Sequence, residues 1–240
     1  MEKRDLIFNG KEKQIFATDD PTKVIIHYKD VGTAFKSIKR ATLRGKGALN
    51  NAISTIIFEA LRDAGIKVHF IECLSEREQL CLKVEPIPIV VVYHNRIAGT
   101  LARTLGLEDG TKCENGIFDM RYNNDMLGDP LINRDQAVAL GLMSYEELDH
   151  IEKVARKSNE VLKELFGKAG IELVDFKMEF GRMENGELII ADELSPDNCR
   201  LWDARTGERL DKDRFRMDLG NVTGSYTEVL NRLKSSRNSL

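Results

Sequence analysis

The sequence predicts an α+β fold in two lobes, a small antiparallel β-lobe over residues 1–84 and a larger α/β lobe over residues 85–240. Three observations predict it. The first third is rich in strand patterns around one amphipathic helix, and Glu85-Pro86-Ile87-Pro88 then makes a stiff crossing. Beyond that crossing, a long capped helix leads into a hairpin of alternating charge.

In the first lobe, Leu6-Ile7-Phe8 leads into Gly10-Lys11-Glu12-Lys13-Gln14-Ile15-Phe16, and Asp19-Asp20-Pro21 supplies a turn. Residues 23–28 are β-branched and aromatic, as strands require. The spacing of Ile53, Ile56, Ile57, Ala60 and Leu61 predicts a helix over 48–64, closed by Gly65. Strands follow at 68–73 and 79–84, which makes the lobe a small antiparallel sheet with one helix. After the prolines, 89–93 reads as a continuous apolar strand and 123–130 as a polar loop. Ser144 with Glu147 forms a capping box that opens a long helix. Its stripe of Leu148, Ile151, Ala155, Leu162, Leu165 and Phe166 is core, and Gly167 or Gly170 ends it. A last helix is expected over 225–233, with a frayed tail over 235–240.

The chain has 240 residues, enough for one large domain or two tightly packed lobes. Its 42% hydrophobic and 31% charged residues are those of an ordinary soluble protein. A formal charge of -3 gives no electrostatic reason for a nucleic-acid or membrane partner, whereas anionic metabolites need only a local cluster of cations. No apolar run is long enough to cross a bilayer, and Met1 to Asp5 lacks a secretory apolar segment. Cys73, Cys81, Cys113 and Cys199 form no C-x-x-C pair, which suits reduced, mostly buried thiols in a cytoplasmic protein. His27, His69, His94 and His150 are equally scattered, which argues against zinc and for a hard ion held by carboxylates. A homo-oligomer is compatible with all of this.

The most informative stretch runs from Val174 to Arg200. Alternation places Asp175, Lys177 and Glu179 on one face of a strand and Val174, Phe176, Met178 and Phe180 on the other. Asn185-Gly186 is a strong signal for a two-residue hairpin turn, with 188–192 returning. In that register Glu179 faces Asp192 directly. Like charges directly opposite are destabilising, so the pair calls for a divalent cation between them or a raised pKa. Lys177, one strand repeat away, is placed to meet a phosphate. Arg200 and Arg216 are candidates for a substrate phosphate, since a guanidinium fork matches phosphate oxygens.

At these residues the chain resembles the SAICAR synthetase family. The resemblance rests on 174–181, on Ala191-Asp192-Glu193-Leu194-Ser195-Pro196-Asp197-Asn198-Cys199-Arg200-Leu201-Trp202-Asp203, and on shorter segments elsewhere. These are Gly10-Lys11-Glu12-Lys13, Gly45-Lys46-Gly47 with Asn50-Asn51, 95–100, Asp129-Pro130 and 211–216. It implies a small β-lobe related to ATP-grasp and kinase-like N-lobes over a larger α/β lobe, with ATP and Mg2+ in the cleft between them. Lys11 and Lys13 would reach the ATP phosphates, adenine would lie near Lys83, Val84 and Glu85, and Glu179 and Asp192 would hold magnesium. Lys177 and Asp175 would be catalytic, and His94, Arg96, Thr100, Asp197, Arg200, Lys212 and Arg216 would bind substrate. The implied reaction activates an azole ribotide carboxylate by phosphoryl transfer and joins it to L-aspartate.

Three positions depart from the family's pattern. His94 stands where the family has an arginine near the substrate phosphate, Asn123 where it commonly has a lysine, and Val90 where it has an acidic residue. Two further readings therefore stand beside the purine-pathway ligase. One is a paralogous aspartate ligase acting on another azole ribotide carboxylate. The other is a non-catalytic nucleotide-binding homologue, which would have no need of the retained Glu179, Asp192, Lys11 and Lys13. A protein kinase is disfavoured, because neither an H-R-D nor a D-F-G element is present.

Overall fold

The computed structural model of the protein describes residues 1–34 and 38–237. Strands β1 (Lys3–Asn9), β2 (Lys13–Thr18) and β3 (Lys23–Tyr28) open a first sheet, and a hairpin of β4 (Val31–Ala34) and β5 (Lys39–Thr42) stands apart from it. Helix α1 (Lys46–Asp63) precedes β6 (Phe70–Ser75) and β7 (Glu78–Leu82), which complete the antiparallel order β1-β2-β3-β7-β6. Then come β8 (Glu85–Ile97), α2 (Thr100–Leu105), β9 (Thr111–Tyr122), β10 (Leu131–Ile132), α3 (Arg134–Ala139) and α4 (Tyr145–Lys168). The chain ends with β11 (Ile171–Arg182), β12 (Leu188–Ala191), β13 (Cys199–Asp203), α5 (Asp213–Arg216) and α6 (Val222–Arg237). The second sheet runs β10-β9-β8-β11-β12, with β13 also paired to β11.

The expected capping box is present: Glu147 N donates to Ser144 Oγ and Ser144 N to Glu147 Oε2. The apolar stripe of α4 enters the main core with Val91 and Tyr93 of β8 and Phe176, Met178 and Phe180 of β11. Ile53, Ile57, Phe58 and Leu61 of helix α1 join this same core. A helix with apolar side chains on more than one face can be claimed by both layers. The helices therefore cover one face of the second sheet, and its polar face is left to line a cleft.

The proline crossing is itself strand. Pro86 lies opposite Gly181, and a register shift separates that pair from Glu179 and Val90. Pairing with β9 begins only at Ile89, and Asn123 N donates to Pro88 O. The side on which both prolines lack a donor is thus the side without a complete ladder, so they cost few hydrogen bonds. Helix α6 extends through 235–237, part of the tail expected to fray, and 238–240 lie outside the described residues. Cys81 and Cys199 are buried as expected, whereas Cys73 is exposed and Cys113 half-buried. Among the described residues no helix is long and apolar enough to cross a membrane.

Candidate active site

Strand β11 sits between β8 on one edge and β12 and β13 on the other, and its alternation divides core from cleft as the sequence predicts. At its start Asp175 is buried opposite His94 of β8. Asp175 Oδ2 accepts from Arg200 Nη1 at 2.7 Å, and Arg200 Nε donates to Asp213 at 2.7 Å. Arg216 then pairs with the second oxygen of Asp213. Burial alone would raise the Asp175 pKa, but Arg200 and His94 hold it below the ordinary carboxylate value. Lys177 opens onto the same cleft. Desolvation and the nearby Arg216, Arg200 and Arg121 push its ammonium down to about 8. Repulsion among confined cations is relieved by an incoming anion.

Asp175, Lys177, Arg200, Asp213 and Arg216 line a cleft of about 670 Å3 with Gly99, Thr100, Arg103, Asp197 and Arg209. Gly99 has φ 59°, and a Cβ there would lie 2.3 Å from Arg200 Nη2. Gly99→Ala is therefore expected to displace the Arg200 guanidinium and strain the backbone. Losing one charge-assisted contact of about 1.5–3 kcal/mol should weaken inorganic phosphate binding at least about tenfold. Titration calorimetry measures this, and an unchanged affinity would separate Arg200 from anion binding.

The hairpin after β11 differs from the sequence register by one residue. Glu179 faces Ala191, not Asp192, and Arg182 faces Leu188. Gly186 N donates to Met183 O and Met183 N to Glu187 O, so three residues, Glu184-Asn185-Gly186, form the loop. Gly186 adopts φ 85°, and a three-residue turn with glycine in the left-handed region uses Asn-Gly as readily as a two-residue turn does. Asp192 lies just past the strand end with φ 62°, its carbonyl 2.9 Å from His69 Nε2. That turn brings it back beside Glu179 despite the changed register. Burial first, and then Asp192, push the Glu179 carboxyl up to about 7. Both acids line an apolar pocket of about 410 Å3 with Ile7, Phe8, Ile15, Val24, Ile26, Leu82, Lys83 and Val84.

Between the two pockets lies a buried cluster of charge that sequence reasoning only partly reached. Lys13 pairs with Asp192 and, at 3.1 Å, with Glu193. Lys46, 1% exposed, pairs with Asp197, which also accepts from Tyr226 Oη at 2.7 Å. Lys212 Nζ reaches Glu12 at 2.8 and 3.0 Å. Oxygens of Glu12, Glu193 and Asp197 all lie within 4.8 Å of one another. Glu12 and Glu193 each adjoin a predicted site residue, and a carboxylate between two lysines is the sequence signal for Glu12; Lys46 lies between two glycines and has no such neighbour. The donors suit a hard divalent ion: Glu179 and Asp192 are close enough to repel, and Glu193 Oε2 is buried without a hydrogen-bond partner.

Some expected site residues stand elsewhere. Arg96 Nε donates to Glu172 at 2.6 Å and Nη1 to Gly110 O at 2.8 Å, so it ties strands together and does not line the cleft. His94 is buried behind Asp175, and Lys11 pairs with Asp125 at 2.8 Å. Glu85 is paired to Arg182 in register and does not line the apolar pocket. Lys212 is held by Glu12 and is 8% exposed. Val90 lies opposite Glu179, so its apolar side chain spares that carboxylate another like charge.

The sequence profile of the family described as SAICAR synthetase matches residues 6–233. A phosphoribosylaminoimidazole-succinocarboxamide synthase of Clostridium botulinum is 53% identical, over 97% of this chain and 99% of that protein. The synthase of the same name from Ehrlichia chaffeensis has a solved structure with a TM-score of 0.94 and 45% identity, covering 96% of this chain and 98% of that one. A SAICAR synthetase solved in complex with ADP gives a TM-score of 0.92 and 43% identity, covering 95% and 97%. With its fold and nearly its whole sequence shared with these proteins, the chain belongs to the SAICAR synthetase family.

Proposed function

We propose that the chain is an ATP-dependent carbon–nitrogen ligase of purine biosynthesis, condensing L-aspartate with carboxyaminoimidazole ribotide to give SAICAR through an acyl phosphate. One observation carries the reading. A single strand lines both pockets, with Glu179 in the apolar one and Lys177 and Asp175 in the cationic one. Glu179 and Lys177 are one strand repeat apart, about 6.6 Å. That spacing suits a nucleotide phosphate at one residue and a carboxylate acceptor at the next. Both volumes fall within the roughly 300–1,000 Å3 of small-molecule sites.

In this reading adenine occupies the apolar pocket beneath the small β-lobe, residues 1–84, beside Lys83 and Val84. Lys13, and Lys11 once released from Asp125, meet the phosphates. Glu179 and Asp192 hold Mg2+, whose charge would offset that of the phosphate oxygens. The ribotide lies along Thr100, Arg200, Arg216 and Lys177. A ribotide carboxylate oxygen attacks the γ-phosphorus as the bond to ADP breaks. The aspartate amine then adds to the acyl carbon, loses a proton, and expels phosphate. No protein nucleophile is needed; the chain contributes positioning and fixed charge. Asp175, held ionised by Arg200, is too weak a base to take the amine proton and serves to orient that guanidinium. The setting is cytoplasmic, where all three reactants are free metabolites.

The test is ADP release measured with Mg-ATP, aspartate and carboxyaminoimidazole ribotide, and then with other azole ribotides in its place. Turnover that requires all three reactants is expected. Turnover with a substitute azole alone, or with none, would overturn the assignment.

A further inference from the structure

His94 is 5% exposed, on the polar face of β8, with a carboxylate at each ring nitrogen. Nε2 lies 3.4 Å from Asp119 Oδ2 on β9, and Nδ1 lies 3.5 Å from Asp175 Oδ2 on β11. A neutral imidazole has one N–H and one lone pair, so it can satisfy only one of two flanking carboxylates. The imidazolium can donate to both. The Asp175 oxygen that faces His94 is also the one that accepts from Arg200, which lines the anion cleft. In the present geometry Nδ1 is buried and makes no hydrogen bond, so the contact is poised rather than closed.

We propose that His94 is a positioning residue whose protonated ring, clamped between Asp119 and Asp175, fixes the Asp175 carboxylate and through it the Arg200 guanidinium that receives the anionic substrate. Loss of the proton sets a lone pair against Asp175 Oδ2, and the carboxylate turns from Arg200. The charged groups facing the ring are Asp119 from β9 and Asp175 from β11, with Arg200 of β13 behind Asp175. Lys177 lies two residues further along β11, and Arg156 of α4 meets the opposite face of β8, at Tyr93. Burial alone would lower the ring's pKa, but the two carboxylates raise it above its ordinary value of 6.5. The clamp is therefore complete below pH 6.5 and is lost as pH climbs through the raised value.

The ligand's identity, though not the ionisation, rests on the ligase reading, and the two are tested separately. The ring's ionisation is followed by NMR of histidine-labelled full-length protein, with His94→Gln to assign the resonance. A midpoint above 6.5 that falls in Asp119→Asn is expected; a midpoint at or below 6.5, or one indifferent to Asp119, overturns the clamp. Substrate binding is then followed as KM against pH. Over the range in which His94 loses its proton, the KM for the ribotide should rise about fivefold or more, the lower end of typical coupling between sites. The KM for ATP should stay level. His94→Arg should flatten the ribotide profile at its low end, and His94→Gln at its high end. A His94→Gln profile that keeps the wild-type slope would refute the proposal. If no azole is turned over while His94 still titrates with Asp119, the ligase reading fails and the clamp stands.

Discussion

Glu179→Gln will abolish ADP formation, by at least about 10³-fold, while making the ligand-free protein harder to melt. The two effects have one cause. Glu179 is half-buried beside Asp192, and burial and that neighbour raise its carboxyl from 4.5 to about 7. A carboxyl raised in the folded state supports folding fully below its unfolded value and withdraws that support as pH rises through the folded one. The window is pH 4.5 to about 7. Glutamine imitates the protonated form at every pH, so the variant's gain in Tm should be absent near pH 4.5 and fully developed above pH 7. The charge that costs stability is what a divalent ion requires, and removing a preorganised electrostatic partner costs about 10²–10³-fold even when it is not a metal ligand. The rise in Tm that Mg-ATP gives the wild type should shrink in the variant, since stabilisation by a ligand follows its affinity. Rates near normal, or a variant that melts lower than wild type at pH 8, would remove Glu179 from the role assigned to it.

The same residue shows how far the sequence could be read. Strict alternation placed Asp175, Lys177 and Glu179 on one face, because the two-residue period of a strand leaves no other arrangement. That much holds, and so does the capped helix from Ser144, where cap and apolar stripe agree. The meeting of Glu179 with Asp192 was inferred from a register that is wrong by one residue. A one-residue slip should put the partner on the other face. It does not, because Asp192 has left the strand in a left-handed conformation that no local pattern announces. The charge cluster was less legible for another reason. Glu12 and Lys212 are 200 positions apart, and Lys46, flanked by two glycines, has no local apolar pattern to mark a side chain that is 1% exposed. Arg96 is a substrate-binding residue only by the family resemblance, and its contact with Glu172 of the neighbouring strand is one that no local pattern announces.

Lys46→Met should lower stability by about 3–5 kcal/mol at pH 7, the usual result of leaving a buried charge without its partner. Against total stabilities of about 5–15 kcal/mol this is enough to move a urea midpoint far to the left. The side chain is apolar and of similar length, so little packing is lost; what is lost is the cation between Asp197 and Glu12. Burial would raise the Asp197 pKa, but Lys212 and Lys46 together depress it far below 3.8. A depressed carboxylate contributes stability above its unfolded value and loses it only as pH falls through the folded one. In the variant Asp197 can take up a proton at a higher pH than in the wild type, so the gap between the two should narrow as pH falls below 3.8. A gap caused by packing would stay constant over that range. The double variant Lys46→Met/Asp197→Asn should recover part of the loss, because a buried pair removed as a whole costs less than one half-removed. A double variant less stable than Lys46→Met alone would mean that Asp197 is held chiefly by Lys212 and Tyr226. Lys46 would then be a consequence of the cluster rather than its anchor.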